Sequence, residues 1–241
     1  LEGVGDMEIS PDGSLVAYTT SSRPDVTMGE KDGGASQQLK IAYGPGNARD
    51  FLPDDMNVRG LAFSPDGRMV SFLWKDEGDE TSVWGIPVDG GAQRKLAGLS
   101  DVGVRSYAWG PDGRSIYMLA GPEADTQRDD EAEAGFDSVV YEEEYRLNRL
   151  FVANSPTGVD GTVDEAPRAI VVPGYVSAFK VTPDGRRAIV ESAPTPAIDD
   201  NYTSNRVNIL DLATGRVSAV VETPGKIGDV EIAPDGQRLS L

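Results

Sequence analysis

The residues best suited to chemistry lie in one short stretch, Phe136-Asp137-Ser138-Val139-Val140-Tyr141-Glu142-Glu143-Glu144-Tyr145-Arg146, where three consecutive carboxylates stand among aromatic side chains. Two adjacent carboxylates make a good cradle for an ammonium group, which they hold through charge-assisted hydrogen bonds. A solvated acidic turn is built from the same residue types, and a further acidic run, Glu123 through Glu133, precedes the stretch.

Other chemistries find no carrier. The 241 residues contain no histidine and no cysteine, which removes Ser-His-Asp and Cys-His catalysis within the chain, along with histidine and thiolate metal sites. There is no Gly-x-Ser-x-Gly elbow and no glycine-rich phosphate loop leading into a helix. Asp199-Asp200-Asn201 offers calcium-type oxygens without the spacing of an EF-hand loop. Nothing positive supports a carboxylate pair for glycoside hydrolysis. No catalytic residue, metal or cofactor is therefore assigned, and the chain reads as a binding or gating module.

The charge balance narrows the partners. Twenty-two basic against 40 acidic residues leave a formal charge of −18. Such a field repels phosphate backbones, which argues against nucleic acid, and favours cationic groups such as the free amino terminus of a peptide. The same charge also serves solubility. No apolar run is long enough to span a membrane. The sequence opens at Leu1 without the basic-then-apolar pattern of a signal peptide, which reads as a processed start. That start and the lack of cysteine point to a periplasmic or secreted setting.

The elements that position these residues come from a repeat. Pro-Asp-Gly occurs at residues 11–13, 65–67, 111–113, 183–185 and 234–236. Two and four residues before each proline stand Met7/Ile9, Leu61/Phe63, Tyr107/Trp109, Phe179/Val181 and Val230/Ile232. Three and five residues after each glycine stand Val16/Tyr18, Val70/Phe72, Ile116/Met118, Ala188/Val190 and Leu239/Leu241. Period-two alternation on both sides of a turn predicts a β-hairpin with one buried face. Proline presets the first central position of a type I turn, Asp suits the second, and glycine takes the left-handed conformation that follows. Third strands are expected at 39–43, 82–86, 149–152 and 206–210, and fourth strands at 48–51, 93–96, 168–172 and 217–221. Four antiparallel strands per repeat is the blade pattern of a β-propeller. Residues 1–241 are thus expected to form a single all-β propeller domain, incomplete at about four and a half blades. The long connections are nearly all of one kind: about 21–38, 120–148 and 192–205 join second to third strands and so fall on one rim, opposite the Pro-Asp-Gly turns, while a further long link, 159–166, precedes a fourth strand. Long loops on a rigid scaffold are where binding usually resides.

Ile9-Ser10-Pro11-Asp12-Gly13, Ala62-Phe63-Ser64-Pro65-Asp66-Gly67 and Val181-Thr182-Pro183-Asp184-Gly185 resemble the repeats of the N-terminal propeller of prolyl-oligopeptidase-family serine peptidases, including acylaminoacyl and dipeptidyl peptidases, and those of TolB-type propellers. Long, irregular blades favour the peptidase. Asp137-Ser138-Val139-Val140-Tyr141-Glu142-Glu143-Glu144 is similar to the Asp-Trp-x-x-Glu-Glu-Glu stretch of dipeptidyl peptidases, with Ser138 in place of Trp. The resemblance implies that Glu143 and Glu144 hold the amino terminus of a peptide substrate. It also implies that the propeller gates an α/β-hydrolase domain, supplied downstream of Leu241, which carries the serine, aspartate and histidine. The intact protein is then a serine peptidase, with an oligomer open to it; the alternative is a non-enzymatic, TolB-like interaction scaffold.

Overall fold

In the computed structural model, the described residues are 2–22, 36–53, 56–75, 80–121, 130–131, 133–136, 138, 145, 147–155, 166–221 and 227–241. They build four complete four-stranded sheets and one two-stranded sheet. The first sheet comprises β1 (Glu2–Ile9), β2 (Val16–Ser22), β3 (Ser36–Ala42) and β4 (Ala48–Asp50). The second comprises β5 (Arg59–Phe63), β6 (Met69–Trp74), β7 (Ser82–Pro87) and β8 (Arg94–Ala97). The third comprises β9 (Val104–Trp109), β10 (Ser115–Ala120), β11 (Arg149–Asn154) and β12 (Arg168–Ile170). The fourth comprises β13 (Tyr175–Val181), β14 (Arg187–Ala193), β15 (Arg206–Asp211) and β16 (Arg216–Val221). β17 (Glu231–Ile232) and β18 (Leu239–Ser240) form the last hairpin. Strands follow one another in order and pair antiparallel throughout. The chain is all-β, and its sheets are the blades of an incomplete β-propeller.

Each Pro-Asp-Gly lies at the tip joining the first two strands of a sheet, as the alternation predicts. The glycines at 13, 67, 113, 185 and 236 all have φ between 65° and 74°. Each glycine N–H donates to the carbonyl three residues back, for example Gly13 to Ser10 at 2.8 Å and Gly185 to Thr182 at 2.8 Å. A second lock comes from the residue before the proline. Ser10, Ser64 and Thr182 donate their hydroxyls to Asp12, Asp66 and Asp184 at 2.7, 2.6 and 2.6 Å. The same oxygens accept the N–H of Leu15, Met69 and Arg187. These hydroxyl bonds are the largest cause holding the three carboxyls below the ordinary range, Asp12 at about 2.

The chain divides into two compact units, Leu1–Gly98 and Leu99–Asn154 with Glu165–Leu241. In the first unit, Ala17, Leu39 and Ile41 of the first sheet bury against Leu61, Phe63, Val70 and Phe72 of the second. In the second unit, Tyr117, Leu119 and Leu150 of the third sheet meet Ala188, Val190 and Leu210 of the fourth. Ile189 and Val207 of the fourth meet Val230, with Ile232 and Leu239 packed alongside. Full burial of one such side chain contributes about 1.5–3 kcal/mol relative to exposure, so sheet stacking supplies the main cohesion of each unit.

Two features depart from the sequence expectation. Met7 and Ile9, expected on a buried face, are 61% and 63% exposed, and Leu241 is 50% exposed. The alternation itself is intact: Met7 pairs with Tyr18 and Ile9 with Val16 on one face of the first sheet. Among the described residues, no sheet covers that face. The other departure is a register shift in every complete first strand, between Val4 and Met7, Arg59 and Ala62, and Val176 and Ala178, and in β9 opposite Leu119 and Ala120. A recurrent bulge adds local twist to the strand while leaving the alternation on either side intact.

Candidate functional site

The connections between second and third strands are rooted where the two middle strands of a sheet end. In the third sheet the last pair is Ala120 with Arg149, and in the fourth it is Ser192 with Arg206. The Pro-Asp-Gly turns of these two sheets touch at Pro111 and Gly185. Their second-to-third connections therefore share the opposite rim of the second unit, as the strand count requires.

The 121–148 insertion carries the predicted site. Glu143 and Glu144 lie outside the described residues. Upstream, Ala134 N–H donates to Asp130 O at 3.0 Å and Phe136 N–H to Glu131 O at 2.9 Å. Phe136 is 70% exposed. Downstream, the insertion is pinned. Asn148 is only 4% exposed, and its Nδ2 donates to Val176 O of the neighbouring sheet at 3.2 Å. This bond ties the segment that emerges from the acidic stretch to the first strand of the fourth sheet, four residues from Glu144.

The matching connection of the fourth sheet is ordered by its own side chains. The helix α1 (Ile198–Thr203) begins with Asp199 and Asp200 in its first turn. Thr195 Oγ1 donates to Asp200 Oδ2 at 2.6 Å, and Asn201 Nδ2 donates to Pro196 O and Ala197 O. Ile198 and Tyr202, one turn apart, both face solvent. The rim thus presents apolar side chains among carboxylates, a surface suited to the apolar and cationic parts of a peptide.

A second polar grouping lies on the first strands of the fourth and fifth sheets. Lys180 Nζ sits 2.6 Å from Glu231 Oε1. Desolvation pushes the Glu191 carboxyl up, Lys180 draws it back down, and Asp229 raises it. On the turn rim, a cleft of about 370 Å³ is lined by Pro111, Asp112, Tyr117 and Asp184, with Gly110 where the first, second and fourth repeats carry serine or threonine. Among the described residues, no group of three or more acidic side chains is arranged to hold a metal ion.

Sequence reasoning missed Asn148. A signal was present: Asn-Arg recurs at 148–149 and 205–206, in each case where a third strand starts. Asn205 is likewise buried, and its Oδ1 has no hydrogen-bond partner.

No family model matches the sequence, and no curated protein matches it. Solved structures do match in fold. The chain is similar to TolB from Acinetobacter baumannii, at 14% identity and a TM-score of 0.60, over 99% of this chain and 48% of that one. It is similar to the acylaminoacyl peptidase of Pyrococcus horikoshii, at 13% identity and a TM-score of 0.62, over 99% of this chain and 35% of that one. It is also similar to an oligogalacturonate lyase in complex with manganese, at 14% identity and a TM-score of 0.63, over 98% of this chain and 60% of that one. At these identities the likeness establishes the propeller fold. The chain spans less than two thirds of each of these structures.

Proposed function

We propose that this chain is the substrate-gating propeller of a serine peptidase that cleaves short peptides. The observation that carries the reading is the insertion rim: two long connections share one end of adjacent blades, and Asn148 anchors the root of the longer one. The fold likeness to an acylaminoacyl peptidase over 99% of the chain supports it, as does a net charge of −18 suited to substrates bearing a free amine.

In this reading Glu143 and Glu144 receive the substrate's amino terminus and fix how far the peptide reaches inward. An α/β-hydrolase domain elsewhere in the protein supplies the reaction. Its serine oxygen attacks the peptide carbonyl while an imidazole takes the serine proton and returns it to the leaving amine; water then releases the acyl group. This chain contributes positioning and exclusion, with no cofactor.

The test compares the complete protein with its Glu143→Gln and Glu144→Gln variants on peptides with free and N-acetylated amino termini. Loss of the free-amine preference, with acetylated peptides cleaved as before, is the expected result. Unchanged cleavage of both substrates by both variants overturns the anchor. A TolB-like interaction scaffold is the second reading, favoured by the equal coverage of TolB and by the exposed pair Ile198 and Tyr202. A reading frame that encodes no serine hydrolase domain selects it.

A further inference from the structure

Each turn aspartate has a partner beyond the backbone, with one exception. Asp12, Asp66 and Asp184 take the hydroxyls of Ser10, Ser64 and Thr182. The fifth turn has Ala233 in the hydroxyl's place, and there an arginine of the same turn substitutes, with Arg238 Nη2 donating to Asp235 Oδ2 at 3.2 Å. The third turn has Gly110 in the hydroxyl's place and Ser115 where the fifth carries Arg238. Its backbone is the ordinary one: Gly113 N–H donates to Gly110 O at 2.9 Å, and Gly110 N–H to Ser115 O at 2.7 Å. Asp112 accepts on Oδ1 alone, from the N–H groups of Arg114 and Ser115 at 2.9 and 3.2 Å.

The side chains missing from this turn leave space beside the next one, the cleft of about 370 Å³ on the turn rim. Asp184 of the fourth sheet lines it opposite Asp112, and it too is engaged on Oδ1 alone, by Thr182 and by Arg186 N–H. The rings of Pro111 and Pro183 also line it, and so does Tyr117, only 8% exposed. Burial pushes the Tyr117 hydroxyl up and the Asp112 charge raises it further, while Ser115 and Arg168 draw it down. Arg186 and Arg187 act on Asp184 from a distance. Among the described residues, neither Asp112 nor Asp184 is held in an ion pair.

We propose that this cleft is a binding site for an arginine side chain of a partner polypeptide, received between Asp112 and Asp184. It supplies from outside the pairing that Arg238 supplies within the fifth turn. Carboxylates select a cation through charge-assisted hydrogen bonds. The flat proline and tyrosine rings suit a planar, weakly hydrated guanidinium better than a compact ammonium. A volume near the lower end of ligand pockets, about 300–1,000 Å³, fits one side chain. The formal charge of −18 draws a basic partner toward the surface. The site lies on the rim opposite the insertions, so it holds on either reading of the function.

The test uses Nα-acetyl-argininamide as the probe and Nα-acetyl-citrullinamide, of the same shape without the charge, as its control. Saturation-transfer difference NMR on the complete protein is expected to show arginine binding at least about tenfold tighter than citrulline. Gly110→Ser restores the residue that the first and second turns carry. Its Cβ would stand 3.0 Å from Asp112 Oδ1 and 3.1 Å from Ser115 Cβ, so it intrudes on the cleft. Asp112→Asn keeps the acceptor for the two N–H groups and removes the charge. Each variant is expected to weaken arginine binding about tenfold, while Asp101→Asn, which precedes β9 at its other end, leaves it unchanged. Equal binding of arginine and citrulline overturns the proposal. So does arginine binding that survives both cleft variants, or that falls as far in Asp101→Asn, either of which would assign it to the acidic surface at large.

Discussion

A Cβ placed on Gly185 would stand 2.7 Å from Cγ of Pro111, the proline of the preceding hairpin. The glycine of the turn therefore has two duties. It takes the left-handed backbone, at φ +65°, and it leaves room for a rigid ring from the neighbouring sheet. Neighbouring blades are held in register at their tips by this fit, which no flexible side chain can relieve.

Gly185→Ala tests that reading against Gly215→Ala. Gly215 has φ +67° and nothing within 4 Å of its Cβ position, so its substitution meets backbone strain alone. The strain of a left-handed alanine is about 1–2 kcal/mol. Overpacking against Pro111 adds about 1–3 kcal/mol at position 185. Urea denaturation of the two variants is expected to rank Gly185→Ala below Gly215→Ala, and equal midpoints would show that the turn contact carries no energy.

Acid should loosen the turns in a defined window. Asp12, Asp66 and Asp184 are held below the ordinary carboxylate range in the folded protein, Asp12 at about 2, chiefly by the Ser10, Ser64 and Thr182 hydroxyls. A depressed carboxyl means that the unfolded chain takes up its proton first. The stabilisation is therefore complete above about pH 5 and drains away as pH falls through the folded pKa. Denaturant midpoints measured from pH 6 down to pH 2.5 are expected to drop, and a Ser10→Ala, Ser64→Ala, Thr182→Val triple variant should show a shallower drop from a lower plateau. A triple variant with the parent's slope would separate the hydroxyls from the effect.

How far the sequence led can be traced to particular residues. The hairpins were readable because Leu61, Phe63, Val70 and Phe72 alternate around Pro65-Asp66-Gly67, and alternation is imposed by the strand itself. The third strands followed for the same reason, within three residues of β3 and two of β7, β11 and β15, and the fourth strands within two residues of β4, β8, β12 and β16. The bulges were not readable, since the residues flanking a bulge keep their apolar types while only the backbone register changes. Exposure of Met7 and Ile9 was hidden because alternation reports which face is apolar, and a neighbour decides whether that face is covered. In the candidate site, Glu143 and Glu144 came from a resemblance. Asn148 escaped because its signal, an Asn-Arg pair shared with 205–206, occurs in only two of the repeats and is not part of the apolar alternation that marks the strands.

Lys180 offers a test of the polar line on the first strands. Its bond to Glu231 joins two partly exposed groups, so the pair is worth at most about 1 kcal/mol. Lys180→Met is expected to shift the thermal midpoint little. It should nonetheless raise the Glu191 pKa further, because Lys180 is the group that draws that carboxyl down against desolvation and Asp229. Carboxyl titration by NMR reads this directly; an unmoved Glu191 would mean that the two side chains are not coupled.

Asn148 joins stability to the proposed role. Its amide is buried and bonds Val176 O across two sheets, at the point where the 121–148 insertion rejoins the third sheet. Asn148→Ala leaves the Val176 carbonyl without that donor, a loss of about 1–3 kcal/mol. Asn148→Asp restores the shape but presents carboxylate oxygens, which cannot donate to a carbonyl, so it should be no better than alanine. Gln, one methylene longer, keeps the donor but misplaces it and should fall between. If the insertion delivers Glu143 and Glu144 to the substrate's amine, the same series in the complete protein raises KM for free-amine peptides while leaving acetylated peptides unaffected. A purely structural bond would instead lower activity on both substrates in proportion to the folded fraction, and that outcome would detach Asn148 from substrate positioning.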